Sequence, residues 1–211
     1  MRVKIAIVDV SHPYADVLPK GRGAVLAVLV RIKVPITVRD LAWHAQIPNS
    51  SVQRIIAQLV RSGLVHTGTA GRATLVTLNR DHLLADAVTD LVQIRGTLIR
   101  RLEAEVDRWV DLAGAWLFGS TARGDGGSES DIDILLVAER SVESDPWEEQ
   151  TSRLAQNIRL WTGNDVQLVE HTRNSFRGLV VDKNPLVAMI WSEGIPLSAT
   201  TRTTQRSLSR L

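Results

Sequence analysis

Cysteine is absent from the 211 residues, which excludes disulfide bonds and thiolate metal ligands and fits a reducing compartment, so a cytoplasmic location is expected. No stretch approaches the length of a membrane span, and the apolar run within Met1–Val8 is too short for a secretory signal. No membrane association is expected. Glutamate is also missing from the first 100 residues, where 13 Lys and Arg stand against 6 Asp for a balance of +7. The remaining residues carry 12 Lys and Arg against 17 Asp and Glu, a balance of −5 that the net +2 conceals. A basic first half joined to an acidic second half suits a nucleic-acid-binding module fused to a module that works with carboxylates. The hydrophobic content of 44% is enough for two small domains. His12, His44, His66, His82 and His171 are scattered without ligand spacing and receive no role, and Trp43, Trp109, Trp147, Trp161 and Trp191 are read as core or interface residues.

The densest chemistry lies in Trp116-Leu117-Phe118-Gly119-Ser120-Thr121-Ala122-Arg123-Gly124, followed by Ser130-Asp131-Ile132-Asp133-Ile134-Leu135-Leu136-Val137. An apolar strand runs into a Gly-Ser turn, and a second strand carries two alternate carboxylates. Strand side chains alternate faces, so Asp131 and Asp133 point the same way while Ile132 and Ile134 point into the core. Two like charges on one face call for a metal ion. Gly119 lets the backbone approach closely, and N–H groups of a helix opened by Ser120 would suit phosphate oxygens.

This arrangement resembles the nucleotidyltransferase superfamily that includes DNA polymerase beta, and most closely its minimal branch, whose pattern is an apolar residue, Gly, Ser, a loop, then Asp-x-Asp. Ten residues, 121 to 130, separate the two halves here. The resemblance implies one or two Mg²⁺ ions on Asp131 and Asp133, with ATP or another nucleoside triphosphate held by Gly119, Ser120 and Arg123. A third acid is implied on the strand after the intervening helix. The family pattern falls on Val166-Gln167-Leu168-Val169 and puts Gln167 where that acid belongs. Asp165, two residues earlier on the same face, is the candidate third catalytic carboxylate, with a turn residue as its alternative reading; Glu170 faces the other way. Between the motifs, Asp145 to Trp161 reads as a helix with Pro146 in its first turn, ended by Gly163-Asn164.

In the basic half, Gly23 to Ile32 is a helix candidate, and Thr37-Val38-Arg39-Asp40 has the form of an N-terminal cap. Pro48-Asn49-Ser50 is turn chemistry, and Val52, Ile55, Ile56, Leu59 and Val60 follow at helical spacing until Gly63. Two β-rich runs, Leu64–Thr67 and Ala73–Leu78, flank Gly68–Arg72 and read as a hairpin. The order resembles the winged helix-turn-helix regulators. That resemblance points to double-stranded DNA as partner, with Ser50, Ser51, Gln53 and Arg54 on the recognition helix and Arg72 on the wing. Arg and Gln suit guanine and adenine edges, and the serines suit phosphate.

From Asp81 to Trp109, Leu84, Val88, Leu91, Leu98, Leu102 and Val106 form one helical stripe interrupted by Gly96, either buried within the chain or paired with a second copy in a homodimer. Ser198 to Arg210 is poor in apolar residues and reads as a mobile tail. The expected fold is α+β. A winged helix-turn-helix domain (residues 1–80) and a linker helix (81–109) precede a nucleotidyltransferase-like domain with a small mixed sheet (110–197) and the tail (198–211). Two functions are consistent with it. One is a DNA-tethered, metal-dependent transferase that moves a nucleoside monophosphate to an acceptor, similar to minimal transferases that act with a small helical toxin-like partner. The other is a transcriptional regulator whose degenerate transferase fold senses a metal-nucleotide ligand.

Overall fold

The structure, a computed structural model, describes residues 9–15, 17–19 and 21–208. The Met1–Val8 run lies outside the described residues. Two compact units divide the chain, His12–Ile94 and a second unit built on Arg95–Leu211.

The first unit is a winged helix-turn-helix. Helices α1 (Arg22–Arg31), α2 (Val38–Ala45) and α3 (Asn49–Arg61) surround a core of Val25, Leu26, Leu29, Leu41, Val52 and Val76. The expected cap is formed: the Asp40 N–H donates to Thr37 Oγ1 at 3.1 Å and the Thr37 hydroxyl donates to Asp40 Oδ2 at 2.7 Å. Val52, Ile56 and Leu59 turn the apolar stripe of α3 inward. Strands β1 (Ile36–Thr37), β2 (Val65–Ala70) and β3 (Ala73–Leu78) make an antiparallel sheet in the order β1-β3-β2. The hairpin is longer than its composition suggests. Gly68 pairs with Leu75 inside the ladder, and the turn narrows to Gly71-Arg72, with Gly71 at φ +58°. Helix α4 (Ala85–Val92) closes this unit.

The second unit runs α5 (Ile94–Val106), β4 (Leu112–Phe118), α6 (Gly119–Arg123), β5 (Ile132–Ala138), α7 (Asp145–Thr162), β6 (Val166–Thr172), α8 (Arg173–Val181), α9 (Pro185–Glu193), β7 (Ile195–Pro196) and α10 (Ala199–Leu208). Its mixed sheet has the order β6-β5-β4-β7, with β5 and β6 parallel and the other pairs antiparallel. Both faces are covered, so the central strand β5 is apolar almost throughout. Ile132, Ile134 and Leu136 pack with Leu102, Leu154 and Ile158, whereas Leu135 and Val137 pack with Trp116, Phe176 and Ile190. Asp133 has the parity of the second set and interrupts it.

Two expectations are corrected and one is narrowed. The single stripe from Asp81 to Trp109 is two helices, broken at Gln93 rather than Gly96. Val88 and Val92 belong to the first unit's core and Leu98, Leu102 and Val106 to the second's, so one apolar face serves two cores. Through Leu208 the expected tail is helical. Its packing runs through hydroxyls: Ala115 N–H donates to Thr201 Oγ1 at 2.8 Å, and the Thr204 hydroxyl donates to the Ala113 carbonyl at 2.8 Å. A segment that meets its neighbour with threonines looks unfoldable by hydropathy alone. Finally, Trp43 is 75% exposed on α2, which narrows its reading from core or interface to interface, whereas Trp109 and Trp147 are buried and meet edge to face.

Candidate active site

Strand β5 lies between β4 and β6, and Asp133 stands level with Phe118 on one neighbour and Gln167 on the other. The chain leaves β4 through Gly119, whose φ of +70° belongs to the left-handed region. A Cβ there would collide with Asp133 Oδ2. Glycine is thus required twice, for the turn and for the room that a carboxylate takes. Asp131, just before β5, is exposed and has the same parity as Asp133. Burial pushes the Asp133 carboxyl above the usual carboxylate range, the negative charge of Asp131 adds to the rise, and Arg123 opposes it. A cation held by these carboxylates would offset the charge of both.

Behind Gly119, α6 is held from two sides. Arg95 donates from Nε to the Thr121 carbonyl at 2.7 Å and from its other terminus to the Ala122 carbonyl, capping the last turn with positive charge. The loop after α6 returns as buried Gly126, where a Cβ would lie 3.0 Å from Ser120 Oγ and 3.1 Å from Ser130 Oγ. Ser120 therefore sits beside the strand entry that carries Asp131. Arg123 is already engaged: it donates to Asp125 Oδ2 at 3.0 Å and to Glu193 Oε1 at 2.8 Å, and these bonds raise its pKa further.

Asp165 stands one residue before Val166, as Asp131 stands one before Ile132, the ladder partner of Val166, so the two carboxylates sit at neighbouring strand entries. Asp165 has a 79% exposed side chain and lies 3.4 Å from Arg159 Nη2, while Gln167 occupies the level of Asp133. Among the described residues no group of three His, Cys, Asp or Glu could hold a metal ion. Glu170, as expected, faces away, and accepts a bond from Trp147 Nε1. Sequence reasoning missed Arg95 and Glu193, which reach the site from 26 and 70 residues away and carry no local signal.

In the first unit, Ser50, Gln53 and Arg54 are exposed along α3, Ser51 is half-buried and accepts from Arg54 Nη2 at 3.3 Å, and Arg72 is exposed at the hairpin turn. A groove of about 700 Å³ runs between α3 and the hairpin, lined by Arg39, Asn49, Gln53, Thr67 and Thr74 among others.

Residues 99–196, which carry the Gly-Ser turn and both aspartates, match the family model of the nucleotidyltransferase domain. None of the curated proteins matches the chain. Among solved structures, a MarR family transcriptional regulator from Silicibacter pomeroyi DSS-3 is 29% identical, over 46% of this chain and 68% of that one, with a TM-score of 0.34. A toxin-antitoxin structure with AMP-PNP is 20% identical, over 55% and 80%, with a TM-score of 0.34. A putative nucleotidyltransferase from Sulfolobus solfataricus is 20% identical, over 48% and 81%, with a TM-score of 0.29. Among the described residues no helix is long and apolar enough to cross a membrane.

Proposed function

We propose that the nucleotidyltransferase domain transfers a nucleoside monophosphate from ATP or another nucleoside triphosphate to a hydroxyl acceptor, while the winged helix unit holds double-stranded DNA. The observation that carries this reading is the Asp133 carboxylate, set in an otherwise buried strand, cradled by Gly119 and burdened by Asp131. The donor set is all oxygen and fits Mg²⁺, which protein sites hold through one or two carboxylates while substrate phosphates and water complete the shell. Bound there, the ion would neutralise charge on the triphosphate and on the departing pyrophosphate. Asp131 and Asp133 fix where that charge is met. Ser120 and the N–H groups of the first turn of α6 hold the outer phosphates, and the absence of a side chain at Gly119 lets them approach. The acceptor oxygen attacks the α-phosphorus as its proton passes to the Asp165 carboxylate, the bond to the bridging oxygen breaks, and pyrophosphate leaves. Labelled ATP, Mg²⁺ and the protein, incubated with duplex DNA and with a small helical toxin-like partner, test this directly. Transfer lost in Asp131→Asn/Asp133→Asn is expected, and transfer that persists in the double variant would sink it.

A second reading is favoured by Gln167 level with Asp133 and by the engagement of Asp165 with Arg159. Without a third carboxylate to take the acceptor proton, the domain would bind a metal-nucleotide and report it to the DNA-binding unit. Under that reading ATP with Mg²⁺ shifts DNA affinity, DNA shifts ATP affinity by the same factor, and no label is transferred. A homodimer reading a two-part DNA site is compatible with both, as is a cytoplasmic location.

A further inference from the structure

Asp131 precedes the regular ladder of β5, so other groups must fix its backbone. The turn after α7 supplies them. The Asp165 carbonyl accepts from the Ile132 N–H at 2.9 Å, and the Asn164 side chain donates from Nδ2 to the Ser130 carbonyl at 3.0 Å. The two bonds grip the chain on either side of Asp131. Ser130 is also fixed from the loop, its N–H donating to the Gly127 carbonyl at 3.1 Å and its Oγ accepting from the Gly127 N–H at 2.9 Å. Asn164 is itself tied to α7: its N–H donates to Thr162 Oγ1 at 3.1 Å, and the Thr162 hydroxyl donates to the Ile158 carbonyl at 2.8 Å. A continuous path of hydrogen bonds thus leads from α7 to the peptide that carries Asp131.

The other amide atom argues against a merely structural role. Asn164 is 2% exposed and its Oδ1 is buried without a hydrogen-bond partner. A buried acceptor left unpaired costs the fold stability, so Asn is a poor residue for the turn as such. The gain is a single bond, and its acceptor is the carbonyl joined to the Asp131 N–H.

We propose that Asn164 is a positioning residue for the Asp131 metal ligand, acting through the Ser130 carbonyl; this rests on the reading that Asp131 and Asp133 hold a divalent cation. Groups that orient a metal ligand set affinity by about 10- to 100-fold when removed. The experiment measures Mn²⁺ binding to the full chain by loss of the free-ion electron paramagnetic resonance signal, alongside thermal unfolding. Asn164→Ala removes the bond to Ser130 and the unpaired acceptor together. Its Mn²⁺ dissociation constant should rise at least about tenfold with an unfolding temperature close to that of the unmodified protein. Asn164→Asp keeps the size but turns an acceptor toward the Ser130 carbonyl, and should bind at least as weakly. In the Asp131→Asn background neither change should weaken binding further, because the ligand being positioned is gone. Unchanged Mn²⁺ affinity in both variants, or equal losses with and without Asp131, would overturn the proposal while leaving the cation site standing. If neither variant folds, as judged by near-ultraviolet dichroism, Asn164 is structural and the proposal falls. Absence of Mn²⁺ binding by the unmodified protein would remove both the proposal and the cation site.

Discussion

Replacing Gly119 with alanine separates the two demands on that residue. At φ +70° any L side chain pays the left-handed penalty, about 1–2 kcal/mol. The added Cβ also meets Asp133 Oδ2, and the carboxylate must swing away or the turn must open. Gly124 provides the control within the same unit: at φ +80° it pays the same backbone term, but its Cβ would lie 3.6 Å from the Arg95 guanidinium, an ordinary contact. Both variants should lose about 3–10 °C of unfolding temperature, read from tryptophan fluorescence. That signal reports chiefly on the second unit, which holds five of the six tryptophans. Only Gly119→Ala should abolish Mg²⁺-dependent ATP binding in calorimetry, whereas Gly124→Ala should retain it within a few-fold. Equal ATP affinity in both variants would refute the reasoning that the Gly119 backbone and the Asp133 carboxylate form one site.

The raised Asp133 carboxyl takes up a proton more readily in the fold than in the unfolded chain, so its charge opposes folding above the folded pKa and the penalty vanishes below the unfolded value. Asp133→Asn should therefore raise the unfolding temperature at neutral pH and not at pH 3, measured by calorimetry without metal; destabilisation at pH 7 would contradict the burial argument. Metal affinity should fall on acidification at a pH above the usual carboxylate range, and Arg123→Ala should move that fall higher still. Thr201→Val leaves the buried Ala115 N–H without its acceptor and should cost about 1–3 kcal/mol in chemical denaturation, whereas the exposed neighbour Arg202→Ala should be near neutral. Duplex DNA binding, followed by fluorescence anisotropy, should weaken steeply with salt, and Arg54→Ala should cost about 1–3 kcal/mol if its guanidinium reads a base edge. Binding that ignores salt would remove the DNA assignment.

The parts of the candidate site that are local in the chain are legible in the sequence. Gly119-Ser120 and Asp131-x-Asp133 each lie within one strand and its turn, where alternation and glycine chemistry fix side-chain direction. The Thr37 cap and the apolar stripe of α3 are legible for the same reason. What escaped was carried by pairing between distant segments. The capture of Arg123 by Glu193 spans 70 residues, and Asn164 looks like turn chemistry after Gly163 until its amide is seen on Ser130. The break at Gln93 escaped because the apolar pattern runs on past Gln93 while the core that receives it changes.

The hydroxyl-rich helix α10 has a consequence for how molecules of this protein avoid one another. Strand β7 covers only Trp116 and Leu117 along one side of β4. Beyond it, Leu197 donates to the Ala115 carbonyl, Thr201 accepts from the Ala115 N–H, and Thr204 donates to the Ala113 carbonyl. Side chains of a helix thereby stand in for the backbone of a missing strand. An uncovered β4 would offer a seven-residue apolar template to any extended peptide, a second unfolding copy included. Helix α10 lies beyond the 99–196 stretch that matches the family, so this chain guards its own sheet edge with a segment whose composition gives no hint of that duty.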